Sequence, residues 1–230
     1  MKLNEVVPFG RSLDEYRHMF HLSDADLKNR ILGVADGPAS FNAELTDLKG
    51  SVVSLDPIYE LTPQSIQQRF DQVLPEIIKQ VEATPNDWVW KYHSSPDQLR
   101  QRRVEVTKRF VQDFSGAINT DRYVTGSLPS LPFADDEFDL ALCSHFLFLY
   151  GEHFSLDFHV ASILEMLRVA PEARIFPMIQ LDLKQPVFLA ELLQYFEREN
   201  YRVTIEKVGY ELQRGGNEML RIKRGRVSDF

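Results

Sequence analysis

Apolar residues follow two rhythms along this chain, compact runs that suit buried strands and longer stretches with a helical 3.6-residue period. Arg30 to Ala35 (RILGVA) reads as a strand, followed by the turn Asp36-Gly37-Pro38. A helix is predicted from about Ala39 to Leu48, ended by Gly50, and Ser51 to Leu55 (SVVSL) is a second strand. Strand, short loop, helix and strand make a βαβ unit, whose right-handed crossover builds a parallel sheet. Upstream, Ser12 and Glu15 form a capping box that opens a short helix through Phe20.

From Thr62 to about Gly116 the pattern turns helical. Ile66, Phe70, Val73, Leu74, Ile77 and Val81 keep one face apolar, and Pro75 is expected to kink or split that helix. A second helix begins at Ser95-Pro96, with Gln98 completing a capping box and Leu99, Val106, Phe110 and Phe114 as its stripe. This is more chain than one crossover needs, so 62–116 reads as a helical insertion able to act as a lid. Strands follow at Arg122–Thr125, Phe138–Ser144 and Ala173–Leu181, with helices at Ser155–Val169 and Pro186–Glu197 and a C-terminal stop at Asn200. Arg202–Val208 and Glu218–Lys223 have no helix between them and are expected to pair antiparallel. The sum is one α/β domain over 1–230, a doubly wound, seven-stranded, mostly parallel sheet with an antiparallel C-terminal strand and helices on both faces.

Composition narrows the setting. The 26 basic and 34 acidic residues leave a net charge of −8, which argues against duplex nucleic acid as a partner. A single cysteine, Cys143, excludes an internal disulfide and any Cys-based zinc site. Met1 to Arg11 holds no apolar run with basic flanks, and no stretch approaches the roughly 18 apolar residues of a membrane span. The expectation is a cytoplasmic protein without membrane attachment.

In open α/β sheets, ligands bind beyond the carboxyl ends of the strands, where the strand order reverses. Three loops fall there. In the first, Ala35, Asp36, Gly37, Pro38 and Ala39 let a ligand approach the backbone closely. In the second, Asp56 ends its strand before Pro57, placed to accept hydrogen bonds from a ribose diol. The third is Cys143-Ser144-His145, fed by the turn Leu131 to Asp139.

These segments, in this order and together with Glu165-Met166-Leu167-Arg168-Val169, resemble the class I S-adenosylmethionine-dependent methyltransferases. The resemblance spans about residues 30 to 180 and implies a Rossmann-like methyltransferase domain that transfers the methyl group of S-adenosylmethionine (SAM) to an acceptor. It implies that the Ala35–Ala39 backbone cradles the methionine moiety and that Asp56 holds the ribose, with Pro57-Ile58 beside the adenine. Ser127 and Leu128 would meet the adenine amine and ring, and Ser144 and His145 would line the transfer side, His145 as base with a pKa near neutrality. The chain departs from the family in having Gly33 in place of an acidic residue, alanines at 35 and 39 in glycine positions, and Ser127 in place of an acid. Asp36 could supply the missing charge from a shifted position. Two alternatives stay open: a non-catalytic module of this fold, and an NAD-dependent oxidoreductase, against which the incomplete G-x-G-x-x-G speaks.

Other groups have ordinary readings beside functional ones. Tyr16, His18, Met19, Phe20 and His21 suit a helix packed on the sheet, or a flap. His153 and His159 lack a carboxylate at ligand spacing, so no metal is expected. Arg100, Arg102, Arg103, Lys108 and Arg109 read as a solvated basic face, and Trp88 to His93 as a segment able to close a substrate pocket.

Overall fold

The computed structural model describes residues 7–117 and 120–225; Met1 to Val6, part of the stretch read above for a leader, lie outside it. Seven strands form one sheet: β1 (Arg30–Val34), β2 (Ser51–Leu55), β3 (Tyr123–Val124), β4 (Leu140–Ser144), β5 (Glu172–Phe176), β6 (Arg202–Lys207) and β7 (Glu218–Lys223). Their order is β3-β2-β1-β4-β5-β7-β6. Strands β1 to β5 pair in parallel, and β7 runs antiparallel to both β5 and β6. This is a Rossmann-like, doubly wound α/β fold with an antiparallel C-terminal ending. The order reverses between β1 and β4, so the fold opens its crevice beyond Val34 and Ser144.

The central strands are apolar on both faces because helices cover both. Successive side chains alternate, so Ile31, Leu140 and Leu142 face α1 (Leu13–Met19), α2 (Phe41–Asp47) and α3 (Pro63–Ala83). Leu32, Val34, Ala141 and Cys143 face α5 (Leu156–Val169) and α6 (Leu189–Arg198) instead. Asn200 takes a left-handed φ of 62° after α6, the stop expected of it, and Tyr201 N–H reaches back to Phe196 O at 3.0 Å.

Three expectations are corrected. Pro75 does not split its helix: α3 runs unbroken over 21 residues. Pro75 and Asp71 both lie on the exposed side, where the carbonyl that loses its donor meets water and the buried face continues. The strand predicted over Ala173–Leu181 ends at Phe176, and residues 177–181 leave the sheet, Pro177 and Leu181 bordering the crevice. Arg103 does not belong to a solvated face. It is fully buried on α4 (Pro96–Ala117), in the one gap of the Leu99, Val106, Phe110 stripe.

Arg103 is held by Glu15, itself fully buried. The guanidinium spans both carboxylate oxygens, with Nη1 to Oε2 at 3.0 Å and Nη2 to Oε1, and Nη1 also donates to Gly10 O. Glu15 further accepts from Ser12 N–H at 2.9 Å and from Tyr210 O–H at 3.1 Å. Burial alone would raise the Glu15 carboxyl, but the Arg103 charge and its hydrogen bonds outweigh it and hold the group well below the usual range. One ion pair thus ties α1, α4 and the segment before β7 together.

Breaking a buried pair strands a charge without solvent. Arg103→Met and Glu15→Gln are each expected to cost about 3–5 kcal/mol, read from the urea unfolding midpoint. The Glu15 contribution is present above its unfolded pKa and is lost as pH falls through its depressed folded value.

Candidate functional site

A cavity of about 670 Å³ lies beyond the carboxyl ends of β1, β2, β4 and β5. That is within the range of small-ligand sites. Ala35, Asp36, Gly37, Asp56, Pro57, Ser127, Leu128, Ser144 and His145 all border it. Pro38 does not. It is buried under the N-terminal segment, so tightly that a Cβ on Gly10 would lie 2.1 Å from Pro38 O.

The loop after β1 turns on two left-handed residues, Ala35 at φ 54° and Gly37 at φ 55°. Alanine there accepts a steric cost that glycine avoids. The loop's N–H groups are committed internally: Ala35 to Leu55 O at 2.8 Å, Asp36 to the same oxygen at 3.4 Å, and Gly37 to Asp56 Oδ2 at 2.9 Å. Tyr59 O–H donates to Gly37 O at 2.7 Å. The open face of the loop is therefore its Cα surface rather than a nest of free donors.

Asp36 occupies the space an acidic residue at position 33 would fill. A Cβ on Gly33 would lie 1.9 Å from Asp36 Oδ2. The carboxylate accepts from Tyr16 O–H and from Ser54 O–H, each at 2.5 Å. Burial pushes Asp36 up to about 6 despite those bonds, and the nearby Asp56 charge adds to the rise. The polar Ser54 inside an apolar strand was the sequence signal for this buried acceptor.

Asp56 ends β2 and caps a 3-10 turn over Pro57–Glu60, with Oδ1 accepting from Ile58 N–H at 2.8 Å. Each oxygen thus takes one backbone donor and keeps a second lone pair for a ligand. Burial raises Asp56 to about 6 against its two backbone hydrogen bonds. Pro57 and Ser127 stand exposed on the rim, and Leu128 is a buried apolar wall.

His145 follows β4 in a left-handed turn, φ 53°, its N–H on Phe176 O at 2.6 Å. Its Nδ1 is 2.9 Å from Ser144 Oγ, and Nε2 makes no hydrogen bond among the described residues. Burial, with the Arg11 and Arg103 charges, holds the imidazole well below its usual value. The expectation of a near-neutral pKa is thereby corrected: this ring is an uncharged acceptor at physiological pH. Cys143 is sealed in β4, its thiol pushed up to about 12 by burial.

Val73, Ile77 and Val81 of α3, with Trp88 and Leu99, border the cavity from the segments read above as a lid and a pocket-closing loop. Phe176, Leu212 and Arg11 also border it, and these escaped sequence reasoning. Tyr16 both packs in the core, stacked on Phe41 at 4.1 Å, and reaches the cavity. His159 nitrogens lie 2.8 and 2.9 Å from the Ser155 and Leu147 carbonyls. Among the described residues, no group of three or more His, Cys, Asp or Glu side chains gathers to hold a metal.

Gly33→Ala is expected to cost about 1–3 kcal/mol by driving a methyl into the Asp36 carboxylate, read by thermal unfolding. Adding Asp36→Ser should return part of that loss.

The chain matches no protein-family profile. Solved structures it resembles include magnesium protoporphyrin IX methyltransferase (ChlM) from Synechocystis PCC 6803 with bound SAM, at 11% identity, 88% of this chain, 73% of that chain and a TM-score of 0.45. Another is a SAM-dependent methyltransferase from Aquifex aeolicus, at 14% identity, 91% of this chain, 90% of that chain and a TM-score of 0.43. Among curated proteins, the uncharacterized protein MJ0045 of Methanocaldococcus jannaschii is 35% identical over 225 residues, 97% of this chain and 99% of that one. At that identity and coverage, the chain belongs to the same family as MJ0045.

Proposed function

We propose that the protein binds S-adenosylmethionine in this cavity and transfers its methyl group to an acceptor held in the same space. The observation that carries the reading is Asp56. It is a buried carboxylate at the end of β2, locked onto the Gly37 loop at 2.9 Å, with an unused lone pair on each oxygen beside a cavity of about 670 Å³. A vicinal diol presents two donors to such a pair of oxygens. Leu128 and Ile58 offer the flanking apolar surface for a purine ring.

When bound, the cofactor supplies a methyl group on a positively charged sulfur, which needs alignment more than acid or base. Holding donor and acceptor in line is worth several kcal/mol, up to about 7–11 in well-oriented systems. Gly37 and Ala35 keep the loop surface low enough for close approach, and Asp56 fixes the sugar end. His145, uncharged and with Nε2 open, accepts a hydrogen bond or a proton from the acceptor, while Ser144 sets the ring through Nδ1. The helices of 62–116 wall the cavity with Val73, Ile77 and Val81 and act as its lid, excluding water.

Thermal unfolding with S-adenosylmethionine, S-adenosylhomocysteine and NAD tests the reading. At about 100-fold excess over Kd, either adenosyl ligand should add about 2.7 kcal/mol, and NAD nothing. Asp56→Ala should abolish that shift with the fold intact; a shift that persists removes the ribose assignment. Ionised Asp56 is the acceptor, so S-adenosylhomocysteine affinity should be flat above pH 7 and fall as pH drops through about 6, by calorimetry. In the free protein the sign is opposite. The raised Asp36 and Asp56 stabilise most below their unfolded value of 3.8 and lose that contribution as pH rises through about 6.

A further inference from the structure

Beyond the cofactor-facing residues, the cavity continues between α3 and the loops after β4 and β5. Its walls there are apolar: Ile77, Val81, Trp88, Leu99, Phe176 and Leu212, each at most 6% exposed. Two arginines border the cavity among the described residues: Arg69 is exposed on α3, whereas Arg11 is 7% exposed and enters this greasy space. Its Nη1 donates to the Phe9 carbonyl and, at 3.3 Å, to Gly10 O. Its Nε is buried without a hydrogen-bond partner. Nη2 makes no hydrogen bond among the described residues.

The charges nearby do not balance. Glu15 lies 4.0 Å from Arg11 Nε, at the outer limit of an ion pair, and its two oxygens are already taken by Arg103, Ser12 and Tyr210. Two buried guanidinium groups therefore share one carboxylate. A buried charge without a full partner is costly, and an anion docked on Arg11 would offset that cost.

The segment that carries Arg11 crosses from the Pro38 loop to the loop after β4: Gly10 packs on Pro38, and Val7 N–H donates to Tyr150 Oη at 3.4 Å. The Arg11 charge acts on His145, Tyr150 and Tyr210 and also on Tyr16, which donates to Asp36, so it stands between the adenosyl end of the cavity and its apolar end. Resting on the methyltransferase reading above, we propose that the methyl acceptor is a small, mostly apolar molecule carrying one anionic group, a carboxylate or a phosphate, that pairs with Arg11. The apolar wall takes its body, and the anion anchors it beside His145. A flexible macromolecular acceptor would not need a buried cation this far inside.

The test uses 2-naphthoate and 2-naphthyl phosphate as probes and neutral naphthalene-2-carboxamide as the size control. Binding to the full chain is measured by calorimetry with and without saturating S-adenosylhomocysteine. At least one anion should bind ten-fold or more tighter than the carboxamide, and whichever wins identifies the head group. Arg11→Gln should erase that preference, Arg11→Lys should keep part of it, and S-adenosylhomocysteine affinity should stay within about threefold in both. Ile77→Trp, which fills the apolar part without touching the cation, should block the probes and spare S-adenosylhomocysteine; it carries the test should Arg11→Gln fail to fold. Equal binding of anions and carboxamide by the parent chain overturns the proposal. So does probe binding that survives Ile77→Trp, or an Arg11→Gln defect confined to S-adenosylhomocysteine, which would give the cation to the cofactor. Failure of S-adenosylhomocysteine to bind the parent chain would instead sink the cofactor reading, while the anion preference is still read from the probes alone.

Discussion

The contact between Glu15 and Arg103 is the constraint around which the upper half of the molecule is arranged. Neither group reaches solvent, so neither tolerates the loss of the other, and each recruits further partners to complete its hydrogen bonding. Gly10 and Ser12 are drawn in from the segment that opens α1, and Tyr210 from the loop between β6 and β7. The sheet would exist without this pair. The pair links α1 to α4 across the space above the carboxyl edge, adding to the Tyr16–Asp36 hydrogen bond that holds α1 and to the packing of Phe110 and Phe114 of α4 on Ile66 of α3. Stability and site geometry are here the same interaction.

Below that roof, two carboxylates divide the work between the first two strands. Asp36 points inward, spends both oxygens on the hydroxyls of Tyr16 and Ser54, and so fastens α1 and β2 to the end of β1. Asp56 spends half its capacity on backbone donors and holds the rest toward the cavity. Gly33 follows from the first of these, since any side chain at that position would meet the Asp36 carboxylate. The glycine at 33 and the carboxylate at 36 are thus one steric arrangement, each fitting only because of the other.

The architecture was legible because it is written in periodicity. The βαβ opening, the capping box at Ser12, the stop at Asn200 and the uninterrupted C-terminal hairpin each follow from local chemistry. The site was legible in part: Asp56, Gly37 and His145 announced themselves as polar or flexible residues at strand ends. Arg103 was not, because a residue with a long charged side chain reads as solvated unless its buried partner is known, and Glu15 lies far away in sequence. Its position between Leu99 and Val106 was nonetheless a gap in an apolar stripe, and that gap was the available clue. The fate of Pro75 depends on which side of α3 faces water, and the pKa of His145 on charges from two distant segments. Neither is a property of the local sequence.

Cys143 carries a consequence of a different kind. It is the single thiol of the chain, placed one residue before Ser144 in the middle of the sheet and kept protonated with no exposed surface. The reactive species toward alkylating reagents is the thiolate, so the native protein presents essentially none of it. Modification of this sulfur therefore counts molecules whose central strands have come apart, and its rate is a direct gauge of how often the sheet opens.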